Sequence, residues 1–261
     1  MKFAFIVEYD GSDYRGWQRQ GEARTVQREI ENALSFVANH PVKATAAGRT
    51  DAGVHACAQV LHIETDVRRD THAWLFGANS RLPSDISLRW CSPVADDFHA
   101  RFSARSRSYR YVILNRPLRS GLWRNRCTWV CQPIDAARMD EAAQALLGEH
   151  DFAAFRAAGC QARTSVRQVQ KIDVRRHDDL VVLEITANGF LHNMVRIIAG
   201  SLLRIGRGEH PGAWLQELLS GGDRRASGAT APAHGLYLSA VHYPQRYAIP
   251  RLDAADSFLV T

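Results

Sequence analysis

The sequence of 261 residues predicts an α+β fold, and three observations carry that reading. Stretches of alternating apolar residues are mixed with stretches whose apolar residues recur every three to four positions, without the strict strand–helix–strand alternation of a parallel sheet. The composition, 46% hydrophobic and 23% charged, supplies enough apolar material for a core and excludes a disordered chain. No apolar run approaches the roughly 18 residues of a membrane span, and there is no heptad or collagen-like repeat. The length suits one large or two modest domains.

The elements follow in order. Phe3 to Tyr9 reads as a strand, closed by a turn at Asp10-Gly11-Ser12. Its acids, Glu8 and Asp10, come too early for a signal peptide, so the first strand of a cytoplasmic protein is expected. Thr25 is placed as an N-cap, and Val26, Ile30, Ala33, Leu34 and Val37 then share one helical face. Gln59 to Thr65 is a strand, Thr71 to Ser80 a short helix, and Ile86 to Val94 a further strand. In the strand Arg107 to Asn115, Tyr109, Tyr111 and Ile113 point the same way. A helix from Asp135 to Leu147, with Met139, Ala143, Leu146 and Leu147 inward, stops at Gly148. Strands around Val166 to Arg175 and Leu180 to Ala187 precede a helix from Phe190 to Ile205. Leu191, Met194, Val195, Ile198, Leu202 and Ile205 form its buried stripe. Trp214 to Leu219 reads as helical, Gly235 to Tyr243 as the last strand, and residues from 251 to 261 as a tail.

An internal echo suggests duplication. The helix Thr25 to Ala38 leads to Arg49-Thr50 and then Gln59-Val60, while the helix Asp135 to Leu147 leads to Arg163-Thr164 and then Gln168-Val169. The first copy carries extra residues, Asp51-Ala52-Gly53-Val54-His55, which marks that segment as an insertion into a scaffold.

Charge points to a partner. Lys and Arg number 33 against 27 Asp and Glu, for a net charge of +6, and only Lys2, Lys43 and Lys171 are lysines. Between Asp97 and Asp135 there is no acid, yet the stretch holds Arg101, Arg105, Arg107, Arg110, Arg116, Arg119, Arg124 and Arg126. Phe102, Tyr109, Tyr111, Trp123 and Trp129 lie among them. Guanidinium groups neutralise phosphates and aromatic faces stack on unpaired bases, so nucleic acid is the expected partner. The five cysteines have neither an even count nor metal-ligand spacing, and the eleven histidines show no metalloenzyme pattern, so no metal is expected. No glycine-rich nucleotide motif is present, and no cofactor is expected.

The segment Gly48-Arg49-Thr50-Asp51-Ala52-Gly53-Val54-His55-Ala56 sets an Asp between two glycines in a loop that feeds a strand. On its residues alone such an Asp is either a turn former paired with Arg49 or a reactive carboxylate. The segment resembles the catalytic signature of the A-type tRNA pseudouridine synthases. So do Tyr9-Asp10-Gly11, Gly16-Trp17-Gln18-Arg19-Gln20, Thr25-Val26-Gln27, Asp97 to Ala104, Tyr109-Arg110-Tyr111, Phe190 to Arg196 and Gly235-Leu236-Tyr237-Leu238, in the same order along the chain.

The resemblance implies isomerisation of uridine to pseudouridine at positions 38 to 40 of the anticodon stem-loop of tRNA, by a cytoplasmic homodimer that needs no cofactor. Asp51 would be the catalytic carboxylate, acting at C1′, through a glycal, or at C6 of the base. Arg196 would supply a counter-charge that keeps a carboxylate ionised in a closed pocket. Tyr109 would stack on the target uracil, Leu238 would line the pocket, and Arg49 would fill the space left by the displaced nucleotide. Arg105, Arg107 and Arg110 are the expected RNA-binding residues. The implied fold has two α/β subdomains related by a pseudo-twofold, residues 1–104 and 105–250, sharing a central antiparallel sheet with an active cleft between them. Two rival classes stand beside this reading: a non-catalytic RNA-binding protein in which Asp51 only shapes a turn, and a glycosylase, which would need a second acid or base.

Overall fold

The computed structural model describes residues 1–252, so residues 253–261 of the expected tail lie outside the described residues. In chain order the elements are β1 (Lys2–Tyr9), α1 (Val26–Ala38), β2 (Thr45–Ala46), β3 (His55–Glu64), α2 (Thr71–Asn79), β4 (Ile86–Val94) and β5 (Ser106–Asn115). There follow β6 (Thr128–Val130), α3 (Ala136–Ala143), β7 (Gly148–Asp151), β8 (Val166–His177), β9 (Leu180–Ala187), α4 (Met194–Gly206), α5 (Trp214–Gly221) and β10 (Leu236–His242). The α+β class is as expected. Two compact units divide the chain: Met1–Arg105 with the chain from Tyr237 onward, and Ser106–Leu236.

In the first unit the strands run β4-β1-β3-β10. β1 is antiparallel to both β3 and β4, and β10 lies parallel to β3 with Tyr237 opposite His55 and Leu238 opposite Ala56. This pairing takes the last strand into the first unit, whereas the expected division put it with residues 105–250. β1 is buried on both faces. Phe3 and Phe5 meet the ring of Trp74 on α2 at centroid distances of 5.5 and 6.1 Å. Each fully buried phenylalanine is worth roughly 1.5–3 kcal/mol. On the other face Ala4 stands opposite His62, whose ring packs edge-on against Phe98. Helix α2 is capped by Asp70, which accepts a hydrogen bond from Ala73 N–H at 2.6 Å. Thr25 stands at the N-cap of α1 in extended conformation, but its hydroxyl makes no cap bond, a departure from the expected role.

In the second unit the order is β5-β9-β8-β7, all antiparallel, with β6 parallel to β5. One sheet face is apolar, with Tyr111, Ile113, Leu183, Ile185, Ile172 and Val174 buried. The opposite face carries a polar ladder beside the buried pair Val112 and Val182. Arg110 pairs with Glu184, Lys171 bridges Glu184 at 3.3 Å and Asp173 at 3.0 Å, and Ser108 shares a 2.7 Å hydrogen bond with Thr186.

Three boundaries differ from expectation. The helix expected at Phe190 begins at Met194, because Asn193 takes the left-handed conformation at φ 59 and no α-helix passes through it. The helix expected to reach Leu147 ends at Ala143 and tightens into a 3₁₀ turn over Gln144–Leu146. That change of pitch turns Leu147 outward, 39% exposed, although it was expected to face inward. β3 opens at His55 rather than Gln59, so the end of the apparent insertion is already sheet.

Candidate active site

The loop that carries Asp51 is held at its entry by β3. Ala47 N–H donates to Val60 O at 2.8 Å, and the buried Gln59 amide donates to Gly48 O at 2.7 Å. Along the loop exposure alternates: Arg49 is exposed, Thr50 buried, Asp51 half-buried and Ala52 exposed. Thr50 is fixed twice, its hydroxyl 2.8 Å from Tyr9 Oη and its carbonyl accepting from Trp17 N–H at 3.0 Å. After Asp51 the chain turns back at once, with Val54 N–H donating to Asp51 O at 3.1 Å and Gly53 N–H to Tyr14 O at 3.3 Å. The Asp51 carboxylate therefore rises from a short, closed turn whose backbone is tied down on either side.

Two glycines admit this packing. A side-chain carbon on Gly11 would lie 2.0 Å from Val54 O, and one on Gly16, which also has φ +88, would lie 2.7 Å from Thr50 O. Neither place has room for any other residue without moving backbone. Next to Gly11, the buried His55 brings Nδ1 within 3.0 Å of Gly11 N and 3.1 Å of Asp10 Oδ1. That nitrogen accepts from Gly11 N–H when bare and donates to Asp10 when protonated. The hydrogen bond to His55 holds the Asp10 carboxyl far below the usual carboxylate range, against the opposing effect of burial, and Ser12 N–H and Oγ–H add to it.

The expected site residues fall in both units. Asp51, Arg49 and Leu238 belong to the first; Tyr109, Arg107, Arg110 and Arg196 belong to the second. Leu238 is fully buried in β10 opposite Ala56, five residues beyond Asp51. Tyr109 is half-buried on β5, its ring edge-on to Phe190 at 4.9 Å. Arg196 sits in the first turn of α4, where Nε donates to Ala231 O at 2.7 Å and Nη1 to Asn193 Oδ1 at 2.9 Å. Those two acceptors hold the guanidinium plane in one orientation, which a long flexible side chain would otherwise lack.

The three arginines expected to bind RNA differ in their surroundings. Arg105 is exposed, whereas Arg107 donates to Asn188 O at 3.2 Å and Arg110 is committed to Glu184. Arg119, Arg124 and Arg126, in the irregular segment between β5 and β6, are all exposed. Leu118 and Leu122 beside them are 78% and 90% exposed. Sequence reasoning attached no role to Tyr9, Gly11, Trp17 or Thr50 as supports of the loop. In sequence they stood only as members of the motifs quoted above, with no sign that they brace the loop. Among the described residues no group of three or more His, Cys, Asp or Glu could hold a metal ion. No helix among them is long and apolar enough to cross a membrane.

A family model described as tRNA pseudouridine synthase matches residues 5–103 and 142–244. The chain belongs to that family. It is 50% identical over 259 residues to tRNA pseudouridine synthase A of Vibrio campbellii, covering 99% of this chain and 98% of that one. It is 52% identical over 259 residues to the protein of the same name from Shewanella amazonensis, covering 99% of each. With that of Coxiella burnetii the identity is 51% over 258 residues, again over 99% of each. The family match takes in the whole Asp51 loop and Arg196, and leaves out residues 104–141, where Tyr109 and the expected RNA-binding arginines lie.

Proposed function

We propose that this chain isomerises uridine to pseudouridine in tRNA with Asp51 as its catalytic carboxylate. The observation that carries the assignment is the anchored Asp51 turn, set inside the family match, with Asp51 half-buried and the backbone fixed on both sides. In the reaction the N1–C1′ bond breaks, the base turns, and a C5–C1′ bond forms while the proton on C5 is lost and N1 gains one. No atom is added and no electrons leave. Each of the three routes open to Asp51, at C1′, through a glycal or at C6, needs an ionised carboxylate at a fixed height, and a closed turn supplies one without reorganisation.

The remaining residues take supporting parts in the same proposal. Tyr109 offers an aromatic face to the target base, and Arg196 a pre-set guanidinium for substrate binding. Exposed Arg49, next to the buried Thr50, occupies the place of the nucleotide drawn from the stem. Leu238 contributes the apolar floor. The resemblance supports positions 38 to 40 of the anticodon arm as the target, a homodimer as the working form and the cytoplasm as its location. The test is incubation of purified protein with unmodified tRNA, mapping of pseudouridine, and mass measurement by light scattering. Pseudouridine confined to the anticodon arm and a dimer mass are expected; no new pseudouridine overturns the proposal.

A further inference from the structure

Both ends of the Asp51 turn rest on one short stretch of chain, Tyr9 to Trp17. Thr50 is held there by Tyr9 and Trp17, Gly53 by Tyr14, and Val54 lies against Gly11. The far end is closed by His55, whose Nδ1 meets Gly11 N and Asp10 Oδ1. The imidazole plane is set independently, because the ring stacks on Tyr237 at 4.6 Å with the planes 23° apart. The reaction as set out above assigns no part to His55 or Asp10. His55 directly follows Val54, whose N–H closes the turn on Asp51, so a shift of His55 reaches the carboxylate with little slack between.

We propose that His55, with Asp10, is a positioning residue for the isomerisation, locking the turn after Asp51 onto the Asp10–Gly11 corner of β1. The inference rests on the reading of Asp51 as the catalytic carboxylate. The lock adds a side-chain hydrogen bond at the far end of the turn to those that Thr50 and Gly53 make at the near end. Nδ1 stands 3.0 Å from Gly11 N and 3.1 Å from Asp10 Oδ1, and through either partner it ties the turn to the corner.

Two substitutions at His55 separate geometry from bulk. His55→Phe keeps a ring for Tyr237 and removes the nitrogen, whereas His55→Asn places an amide oxygen near the position of Nδ1 and restores an acceptor for Gly11 N–H. His55→Phe is expected to lower kcat about 10- to 100-fold, the cost of a reacting group displaced by the order of an ångström, with KM for tRNA within about threefold. His55→Asn is expected to recover most of that loss. Asp10→Ala, at a side chain 26% exposed and so less needed for folding, is expected to lower kcat about tenfold, again at unchanged KM. Parental kcat in His55→Phe or Asp10→Ala, or equal losses in the Phe and Asn variants, would overturn the proposal. Asp51→Asn is run in parallel. If it is inactive while His55→Phe is normal, only the positioning role fails; if it is active, the reading of Asp51 fails and this inference with it.

Discussion

A methyl group added at Gly11 would sit 2.0 Å from the carbonyl oxygen of Val54 and 2.6 Å from its carbon, where ordinary van der Waals approach begins at 3.4 Å. Both neighbours are backbone, so no side chain can rotate away, and the β1 corner and the Asp51 turn must part by about 1.4 Å. Overpacking of this kind costs about 1–3 kcal/mol, against a total stability of about 5–15 kcal/mol, so Gly11→Ala should remain folded. A catalytic group displaced by about an ångström loses on the order of 10²-fold in rate. The assay is single-turnover formation of pseudouridine in unmodified tRNA at saturating enzyme, with tRNA affinity and thermal unfolding measured beside it. Gly48→Ala is the control: it lies in the same loop, and its added carbon would meet nothing within 4 Å. A rate near the parental value is expected there. If Gly11→Ala also reacts within threefold of the parent, the anchoring of the turn has no bearing on catalysis.

Replacing exposed Arg119, Arg124 and Arg126 together by Ala should reduce the slope of log affinity against log salt by about 0.7–0.9 for each phosphate no longer neutralised, measured by tRNA binding across a salt series. Arg110→Ala should leave that slope unchanged, because its guanidinium is already paired with Glu184. Arg196→Lys should slow single-turnover isomerisation at least about tenfold and weaken tRNA binding, since a point ammonium does not reproduce the planar fork that meets the Ala231 carbonyl and the Asn193 amide oxygen. Burial, with His99 and Lys2 nearby, pushes the His62 imidazole down to about 4. The unfolded chain takes up this proton near pH 6.5 and the folded chain does not, so stability should fall between about pH 6.5 and 4, by about 1.4 kcal/mol per pH unit for this one group. His62→Gln should remove that share of the slope in denaturant titrations run across the range.

Local rules found most elements because most of them are locally determined. The apolar face of α1, the apolar run of β1 and the shared face of Tyr109, Tyr111 and Ile113 in β5 follow from spacing alone. The start of α4 escaped because Phe190 and Leu191 continue the apolar rhythm while Asn193 breaks the backbone, and rhythm does not report a left-handed residue. The Asp51 turn was legible as a loop feeding a strand from a nine-residue run of sequence. Its supports were not: Tyr9 and Thr50 are 41 residues apart, and their hydrogen bond depends on how β1 registers against β3. The same limit explains Arg110. In sequence it is one arginine among many, and only the pairing of β5 with β9 brings Glu184 opposite it.

The central claim is that the negative charge of Asp51 performs the chemistry, and Asp51→Asn tests it with almost no change of shape. Asn shapes a turn at least as well as Asp, so the loop should fold as before and tRNA should bind as tightly or more tightly. The account predicts no detectable pseudouridine in a single-turnover assay with enzyme in excess and every tRNA bound. Isomerisation by Asp51→Asn at close to the parental rate would contradict it.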